Sequence, residues 1–181
     1  MHLAPDTEET LRFAVALVDT HPAATRSGHD ELDRASLRAL CESFSYTGRF
    51  DRDERELEEA RATRDLIKQV WTMPTPDAVR EVNTMFRDAR ALPFLIKHDH
   101  YDWHLHLTEP DAPLTERMRG EFAIAFADVI RSGATDRMRE CAADDCEGLV
   151  LDLSRNGSKR FCSVRCGNRM NQLAYRERQA E

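Results

Sequence analysis

The feature that most constrains this chain is a set of four cysteines in its C-terminal segment, arranged as two close pairs. Cys141 precedes Cys146 by five residues, and Cys162 precedes Cys166 by four. Two tight turns that each supply two thiolates are what a tetrahedral Zn²⁺ ion requires, and four sulfur ligands leave no coordination position open. The spacing therefore predicts one structural zinc ion bound by these four side chains.

The residues between the two pairs predict a β-hairpin followed by a helix. Residues 149–153 form a short apolar run, Asn156-Gly157 is a strong signal for a tight turn, and residues 158–161 would form the return strand. Ser163 is a candidate N-cap for a helix that no Pro or Gly interrupts from Asn168 onward. The expected order of zinc knuckle, hairpin and helix is that of a treble-clef or zinc-ribbon module.

Two faces of the predicted helix differ in chemistry. One face is expected to pack against the metal and the hairpin, through Cys166, Met170, Leu173 and Ala174. The other face carries Arg165, Arg169, Gln172 and Arg176 at helical spacing.

Charge is distributed unevenly along the chain. The whole chain has a net charge of −7, yet residues 154–178 hold seven basic side chains and one acidic one. A zinc ion with four thiolates returns two negative charges, so the module stays moderately basic, and clustered cations are typical of nucleic-acid binding. A solvated helix face is the alternative. The candidate contacts to double-stranded DNA are Arg155, Lys159, Arg160, Arg165, Asn168, Arg169, Gln172, Arg176 and Arg178.

Residues 160–169, Arg-Phe-Cys-Ser-Val-Arg-Cys-Gly-Asn-Arg, resemble the CGNR-type zinc finger, which is named for the tetrapeptide found here at 166–169. The trailing residues 175–178 also fit that family. Its finger follows a mostly helical bacterial domain, the ABATE domain, and such proteins are regarded as stress-induced transcription regulators. The resemblance implies a regulator that binds DNA through the finger and senses an effector, or forms a homodimer, through the helical domain.

The preceding residues show helical periodicity interrupted by one alternating segment. Helices are expected over 7–19, 37–44, 51–71, 77–90 and 115–132, with Gly133 as a C-terminal stop. Residues 92–96 and 103–107 predict a hairpin. The predicted fold is therefore mainly α with small β-hairpins, divided into a helical domain over 1–136 and a four-cysteine module over 137–181.

Composition favours a globular protein without a membrane segment. Charged residues make up 33% of the chain, and its longest apolar runs are six residues each, far too short to cross a bilayer. No basic region precedes an apolar run near the N-terminus, so no secretory signal is visible. Reduced, zinc-bound cysteines favour the cytoplasm.

A cluster of histidines is the other conspicuous feature, formed by His98, His100, His104 and His106. Three interpretations stay open: a structural or solvated role, the lining of a pocket, or a second metal site completed by Asp99 and Asp102.

A candidate pocket for a small effector lies between the second strand and neighbouring helices. Trp103 and Phe122 offer apolar surface, and Asp19, Thr20 and His104 offer polar groups. The same aromatic residues would serve equally well as core. Cys41, in the apolar stripe of its helix, is expected to be a buried small hydrophobe.

Motifs of enzymatic catalysis are missing from the sequence. It contains no GxSxG elbow, P-loop, HExxH or dinucleotide-binding fingerprint. The prediction is a DNA-binding regulator rather than an enzyme. The rival hypotheses are a zinc module that binds a protein partner and a metal-dependent enzyme at the histidine cluster.

Overall fold

The computed structural model describes residues 3–97 and 102–180, which form six α-helices, a short 3₁₀ turn and two two-stranded antiparallel sheets. The helices are α1 (Pro5–Val18), α2 (Arg34–Ser43), α3 (Glu54–Thr72), α4 (Thr75–Asp88), α5 (Leu114–Arg131) and α6 (Val164–Ala180). The strands are β1 (Phe94–Ile96), β2 (His104–His106), β3 (Met138–Glu140) and β4 (Leu149–Leu151). The predicted fold class, mainly α with small hairpins and a four-cysteine module, is confirmed.

Local sequence signals set several helix ends. Asp33 forms a reciprocal capping box with Ser36 at the start of α2, and Asp53 accepts a hydrogen bond from the Glu56 amide at the start of α3. Gly133, with φ +67°, lies just beyond α5, where the left-handed conformation favours glycine. The predicted stop at Gly133 is confirmed.

Aromatic side chains fill the core between α1, α3 and α5. The Phe13 and Phe122 ring centroids lie 5.7 Å apart, and those of Trp71 and Phe126 lie 6.1 Å apart in an edge-on arrangement. Helix α4 also packs against α5. Cys41 is buried in the same core, as expected of a small hydrophobe.

The hairpin predicted between α4 and α5 is confirmed. Strands β1 and β2 pair in the register Phe94↔His106, Leu95↔Leu105 and Ile96↔His104. His104 and His106 therefore share one face of β2, and both are half-buried. Of the other residues proposed for the histidine cluster and its metal site, His98, Asp99 and His100 lie outside the described residues. Asp102 is exposed and pairs with Lys97 at 2.8 Å.

The hairpin predicted between the cysteine pairs is wrong in its pairing. Strand β4 pairs with β3, in the register Met138↔Leu151 to Glu140↔Leu149, rather than with residues 158–161. The turn at Asn156-Gly157 does form, with Gly157 at φ +62°. The chain that follows the turn is polar and mostly exposed, so it gains little by joining a sheet whose strand β4 is buried throughout.

This pairing places the first part of the cysteine module against the helices. Leu149 and Leu151 belong to the same buried cluster as Leu11 and Leu17 of α1. The Trp71 indole N–H of α3 donates to the Arg139 carbonyl oxygen at 3.2 Å. One apolar core therefore continues from the helices into β3 and β4.

Candidate metal centre and basic helix

The four cysteines meet at one point, although they come from three different local structures. Cys141 directly follows β3, Cys146 lies in the loop before β4, and Cys162 and Cys166 flank the start of α6. All four Sγ atoms lie within 4.8 Å of one another, and the Cys146–Cys162 and Cys162–Cys166 pairs are each 3.7 Å apart. Tetrahedral zinc with Zn–S bonds of about 2.3 Å places its sulfurs roughly 3.8 Å apart.

The donor set therefore fits one structural Zn²⁺ ion, and the predicted ligands are confirmed as a cluster. Burial by the surrounding protein raises the pKa of the Cys146 and Cys162 thiols. A zinc ion favours the thiolate form because its charge opposes this effect of burial. When bound, the ion cross-links two parts of the chain and has no open position for chemistry.

Backbone amides point at two of the sulfurs. The Gly148 amide lies 3.4 Å from the Cys146 Sγ, and the Cys162 amide lies 3.5 Å from the Cys141 Sγ. Such N–H···S contacts stabilise the negative charge of metal-bound thiolates. A Cβ atom at Gly148 would lie 3.1 Å from the Cys162 Sγ, so glycine permits the close approach of the two turns here. The sequence analysis did not single out Gly148.

Helix α6 begins as predicted, and its C-terminal half extends into solvent. The Cys166 amide donates to the Ser163 Oγ at 3.2 Å, which confirms Ser163 as the N-cap. Phe161 and Met170 pack around the cysteines. The prediction that Leu173 and Ala174 face the hairpin is wrong: both are exposed, because the β3–β4 hairpin does not reach this part of α6.

Arg169 connects the two cysteine pairs. Its guanidinium forms an ion pair with Asp145 at 2.5 Å and lies 3.9 Å from the Cys166 Sγ. Asp145 precedes Cys146, so this contact braces the metal centre across its two halves. Among the candidate DNA contacts, Arg169 is thus already engaged within the module.

Asp152 holds the turn that precedes α6, and the sequence analysis missed it. Its buried carboxylate accepts hydrogen bonds from the Ser154 amide at 3.0 Å and the Lys159 amide at 2.8 Å, and it pairs with Arg139. Burial alone would raise the pKa of Asp152, but the hydrogen bonds from Ser154 and Lys159 outweigh it and lower this pKa to about 2. The sequence contains a signal for this role, because a single Asp interrupts an apolar run just before the turn residues Ser-Arg-Asn-Gly.

The other candidate DNA contacts lie on exposed surface. They are Arg155, Lys159, Arg160, Arg165, Asn168, Gln172, Arg176 and Arg178. In the described part of the chain, none of these six basic side chains forms an ion pair with a carboxylate. The Arg160 guanidinium lies 5.4 Å from the centre of the Phe161 ring.

A set of polar contacts, the polar seam, joins the cysteine module to the chain after α1 and to α3. The Glu147 amide donates to the Ala23 carbonyl oxygen at 3.0 Å, and the Glu147 carboxylate pairs with Lys68 of α3. Asp19 lies beside Gly148, and desolvation raises the pKa of its carboxyl to about 6, with Lys159 acting in the opposite direction.

The five residues of the proposed effector pocket do not come together. His104 lines a cavity of about 390 Å³ beside the other end of α1. Trp103 is 68% exposed, and Phe122 is buried in the core. Asp19 belongs to the seam, and Thr20 accepts a hydrogen bond from Arg64 at 3.2 Å. Alternating periodicity identified the strand, but it carried no information on which end of α1 the strand approaches.

The two described histidines of the cluster contact each other. The His104 and His106 Nε2 atoms lie 3.1 Å apart. Within residues 3–97 and 102–180, the four cysteines form the only group of three or more His, Cys, Asp or Glu side chains positioned to hold a metal ion.

Comparison with known families agrees with this geometry. Residues 137–179 match the family model described as CGNR zinc finger. Residues 11–133, more than half of the chain, match the ABATE model, described as "Putative stress-induced transcription regulator". The protein belongs to the ABATE family. No curated protein matches the chain.

In this ABATE protein, the matched domain contains the second half of α1 and all of α2 to α5, and the matched CGNR finger contains β3, β4, the four cysteines and nearly all of α6. The resemblance inferred from residues 160–169 is therefore confirmed. Across the described residues, no helix of the ABATE protein is both long and apolar enough to cross a membrane.

Proposed function

We propose that this ABATE protein is a transcription regulator that binds double-stranded DNA through the exposed face of α6. The observation that carries this proposal is the exposure of α6. Every side chain from residue 171 to 179 is exposed, and Arg165 and Arg176 form no ion pair within the described residues. A helix of 17 residues is about 25 Å long, and its diameter suits the major groove of B-DNA.

The helix geometry supports a division of roles. At about 100° per residue, Arg165, Gln172 and Arg176 fall within about 40° of one another and form one stripe. Arg169 lies at the edge of this stripe towards Cys166, which explains its contact with Asp145. We assign Arg169 to bracing the metal centre, and Arg165 and Arg176 to phosphate or guanine contacts.

Two further groups complete the proposed interface. Asn168 and Gln172 are exposed and carry amides that can hydrogen-bond the edge of an adenine. The turn before α6 presents further cations suited to the phosphate backbone: Arg155, Lys159 and Arg160. Arg178, at the far end of α6, offers another.

The zinc ion would serve this function by fixing the direction in which α6 projects. The four cysteines would hold it, and it would supply a cross-link between the start of α6 and the β3–β4 hairpin.

We further propose that residues 137–181 form the DNA-binding part, and that residues 1–136 bind a small effector or form a homodimer. The polar seam at Ala23, Lys68 and Glu147 is the route by which the two parts would influence each other.

The test is fluorescence anisotropy with zinc-loaded protein and duplex fragments from the region upstream of its own gene. If four to six phosphates are contacted, the logarithm of affinity should fall with the logarithm of salt concentration with a slope of about −3 to −6. The Arg165→Ala, Arg176→Ala double variant should bind at least about tenfold more weakly at low salt.

The matched control is Arg80→Ala with Arg131→Ala, which removes the same charge from exposed positions far along the chain from α6. It should bind as wild type does. Equal loss in both double variants would mean that net charge alone matters, and undiminished binding by the α6 variant would rule out this face.

A protein partner is the second candidate, favoured by apolar exposure on α6. Val164 is 81% exposed and Tyr175 is 59% exposed, and helical spacing places both on the same edge of α6. A partner held by this edge would show weak salt dependence and would be lost in Tyr175→Ala. A duplex held by the arginine stripe would tolerate that change better than the loss of Arg165 and Arg176.

A further inference from the structure

A cavity of about 390 Å³ lies in the ABATE domain, away from the metal centre. It is bounded by the N-terminal half of α1, the middle of α5, the loop after α2 and strand β2. Its volume is in the range of sites that hold small molecules. Its apolar wall includes Phe13, Phe44, Ile96 and Ile124, which offer aromatic and aliphatic surface to a ligand.

Two polar groups of this wall lie next to each other. The Tyr46 hydroxyl is buried and, among the described residues, forms no hydrogen bond of good geometry. It lies beside the Glu121 carboxyl, close enough for each group to shift the pKa of the other. A buried hydroxyl without a well-formed hydrogen bond costs free energy, so a ligand that supplies one is favoured.

The positive charge nearest to these groups is already engaged. The Arg117 guanidinium donates to the backbone oxygens of Thr47, Arg49 and Ala112, and lies 5.2 Å from the Tyr46 ring centre. It therefore fastens the loop after α2 to α5 and has limited capacity to hold an anion.

The remaining charged groups of the wall favour a cation. Apart from Arg117 and the two histidines His104 and His106, the titratable lining consists of Asp6, Glu9, Glu121 and Tyr46. Carboxylates at a partly enclosed site attract cations and repel anions more strongly than they would in water. Aromatic faces next to them add a further attraction for an ammonium group.

We propose that this cavity binds a small organic cation, in which an ammonium group contacts Glu121 and Tyr46 and an apolar body packs against Phe13 and Phe44. The ammonium would donate to the Glu121 carboxylate and to the Tyr46 oxygen, and the Tyr46 hydroxyl would donate to the same carboxylate. This inference gives a chemical class to the effector proposed above for residues 1–136.

Binding of such a cation should release protons. Burial raises the pKa of Glu121 to about 7, against the opposing effects of the neighbouring Tyr46 hydroxyl and of Arg117. At neutral pH the empty cavity therefore contains a mixture of protonated and ionised Glu121. A bound ammonium favours the ionised form, so the protonated fraction gives up its proton on binding.

The experiment uses full-length, zinc-loaded protein and three probes that share an indole body: tryptamine, tryptophol and indole-3-acetate. Isothermal titration should rank the ammonium first, at least about tenfold tighter than the alcohol, and the carboxylate last. Repeating the tryptamine titration in two buffers of different ionisation enthalpy should reveal proton release near pH 7. Benzylamine serves as a smaller ammonium probe.

Three variants test the assignment. Glu121→Gln should reduce the preference for tryptamine over tryptophol at least about tenfold and abolish proton release, and Tyr46→Phe should weaken tryptamine severalfold. Glu116→Gln is the matched control on α5, because Glu116 does not line the cavity. Circular dichroism and zinc content should show that each variant is folded.

Three outcomes would overturn the inference: tryptophol or indole-3-acetate binding as tightly as tryptamine, wild-type behaviour of Glu121→Gln, or no saturable binding of either amine at millimolar concentration. The anisotropy assay with DNA is independent of all three. Failure of amine binding with DNA binding intact would refute the cavity assignment alone, and the reverse result would refute the proposed role of α6.

Discussion

The two halves of the CGNR finger are stabilised by different forces. The first half, β3, β4 and Asp152, packs against the ABATE domain, and Met138, Leu149 and Leu151 belong to the buried core that they share with its helices. The second half, residues 154–180, is mostly exposed and is attached through Cys162, Cys166, Phe161 and Met170. Apolar burial holds the first half, and the metal centre holds the second.

This difference means that one zinc ion joins an element of the protein core to an otherwise exposed helix. An isolated helix of this length is only marginally stable in water, so α6 depends on its attachment at Cys162 and Cys166. Loss of the metal should therefore release α6 without unfolding β3 and β4. The following predictions test this contrast in order of decreasing effect.

The largest effect is expected from removal of a zinc ligand in the second half. Cys162→Ala should abolish zinc binding, because three thiolates no longer complete the tetrahedral set, and apparent zinc-binding free energies in small fingers are about 10–16 kcal/mol. Elemental analysis should show the loss of zinc. Hydrogen exchange should show lost protection in α6 and retained protection in β4.

The matched control is Cys41→Ala, which removes a buried cysteine that is not a ligand. It should keep one zinc ion per chain and protection in α6. Full zinc occupancy in Cys162→Ala would contradict the assignment, and loss of protection in β4 would contradict the separation of the two halves.

A pair of leucine substitutions tests the contrast without touching the metal. Leu149→Ala removes a fully buried side chain and should lower the free energy of unfolding of the whole protein by about 2–5 kcal/mol. Leu173→Ala, in the second half, should change it by less than about 0.5 kcal/mol because Leu173 is exposed. Urea denaturation measures both, and similar values for the two would show that the halves are not distinct.

A smaller effect is expected at the junction of the halves. Asp152→Ala leaves the Ser154 and Lys159 amides without their acceptor and should lower the free energy of unfolding by about 1–3 kcal/mol. Asp136→Ala, at a position 79% exposed, is the control and should have almost no effect. Nuclear magnetic resonance of the amides at 154–159 should show the local disturbance, and unchanged shifts there would refute the role of Asp152.

Acid should unfold the two regions in sequence. Protonation of the thiolates releases zinc and α6 first. In the ABATE domain, the Arg64 hydrogen bond lowers the pKa of Asp30 to about 2, below its ordinary value of 3.8. The stabilisation from Asp30 is therefore fully present above about pH 4 and is lost as pH falls through the range from 3.8 to 2.

The contribution of Asp30 should be about 1 kcal/mol, since its side chain is partly exposed. Asp30→Asn should flatten the acid dependence of helix content between pH 4 and pH 2, and Asp136→Asn should leave it unchanged. Simultaneous loss of α6 and the ABATE helices in a pH titration of zinc content and circular dichroism would show that the two regions unfold as one.

Local patterns predicted most of the elements, because they depend on interactions between residues close in sequence. The apolar stripes of α1 and α3 to α5, the alternation in β2, the cap at Ser163 and the stop at Gly133 all appear in the structure. The four zinc ligands were predictable because metal coordination by paired cysteines imposes a spacing that is visible in the chain.

The pairing of β4 was not predictable in the same way. The turn at Asn156-Gly157 indicated a partner after it, but burial of Leu149 and Leu151 against α1 selected β3 before it. Whether a strand pairs across a local turn or against a distant apolar surface depends on how much apolar surface area each pairing buries.

By itself, the sequence determined that this chain would be a helical domain followed by a four-cysteine zinc finger with a basic terminal helix. Periodicity, spacing and charge are one-dimensional properties, so they carry that information. Only the tertiary structure decided that Arg169 pairs with Asp145, that Asp152 anchors the turn, and that Glu121 and Tyr46 meet in a cavity. These contacts join residues whose separation in the chain is unrelated to their distance in space, and no local pattern records them.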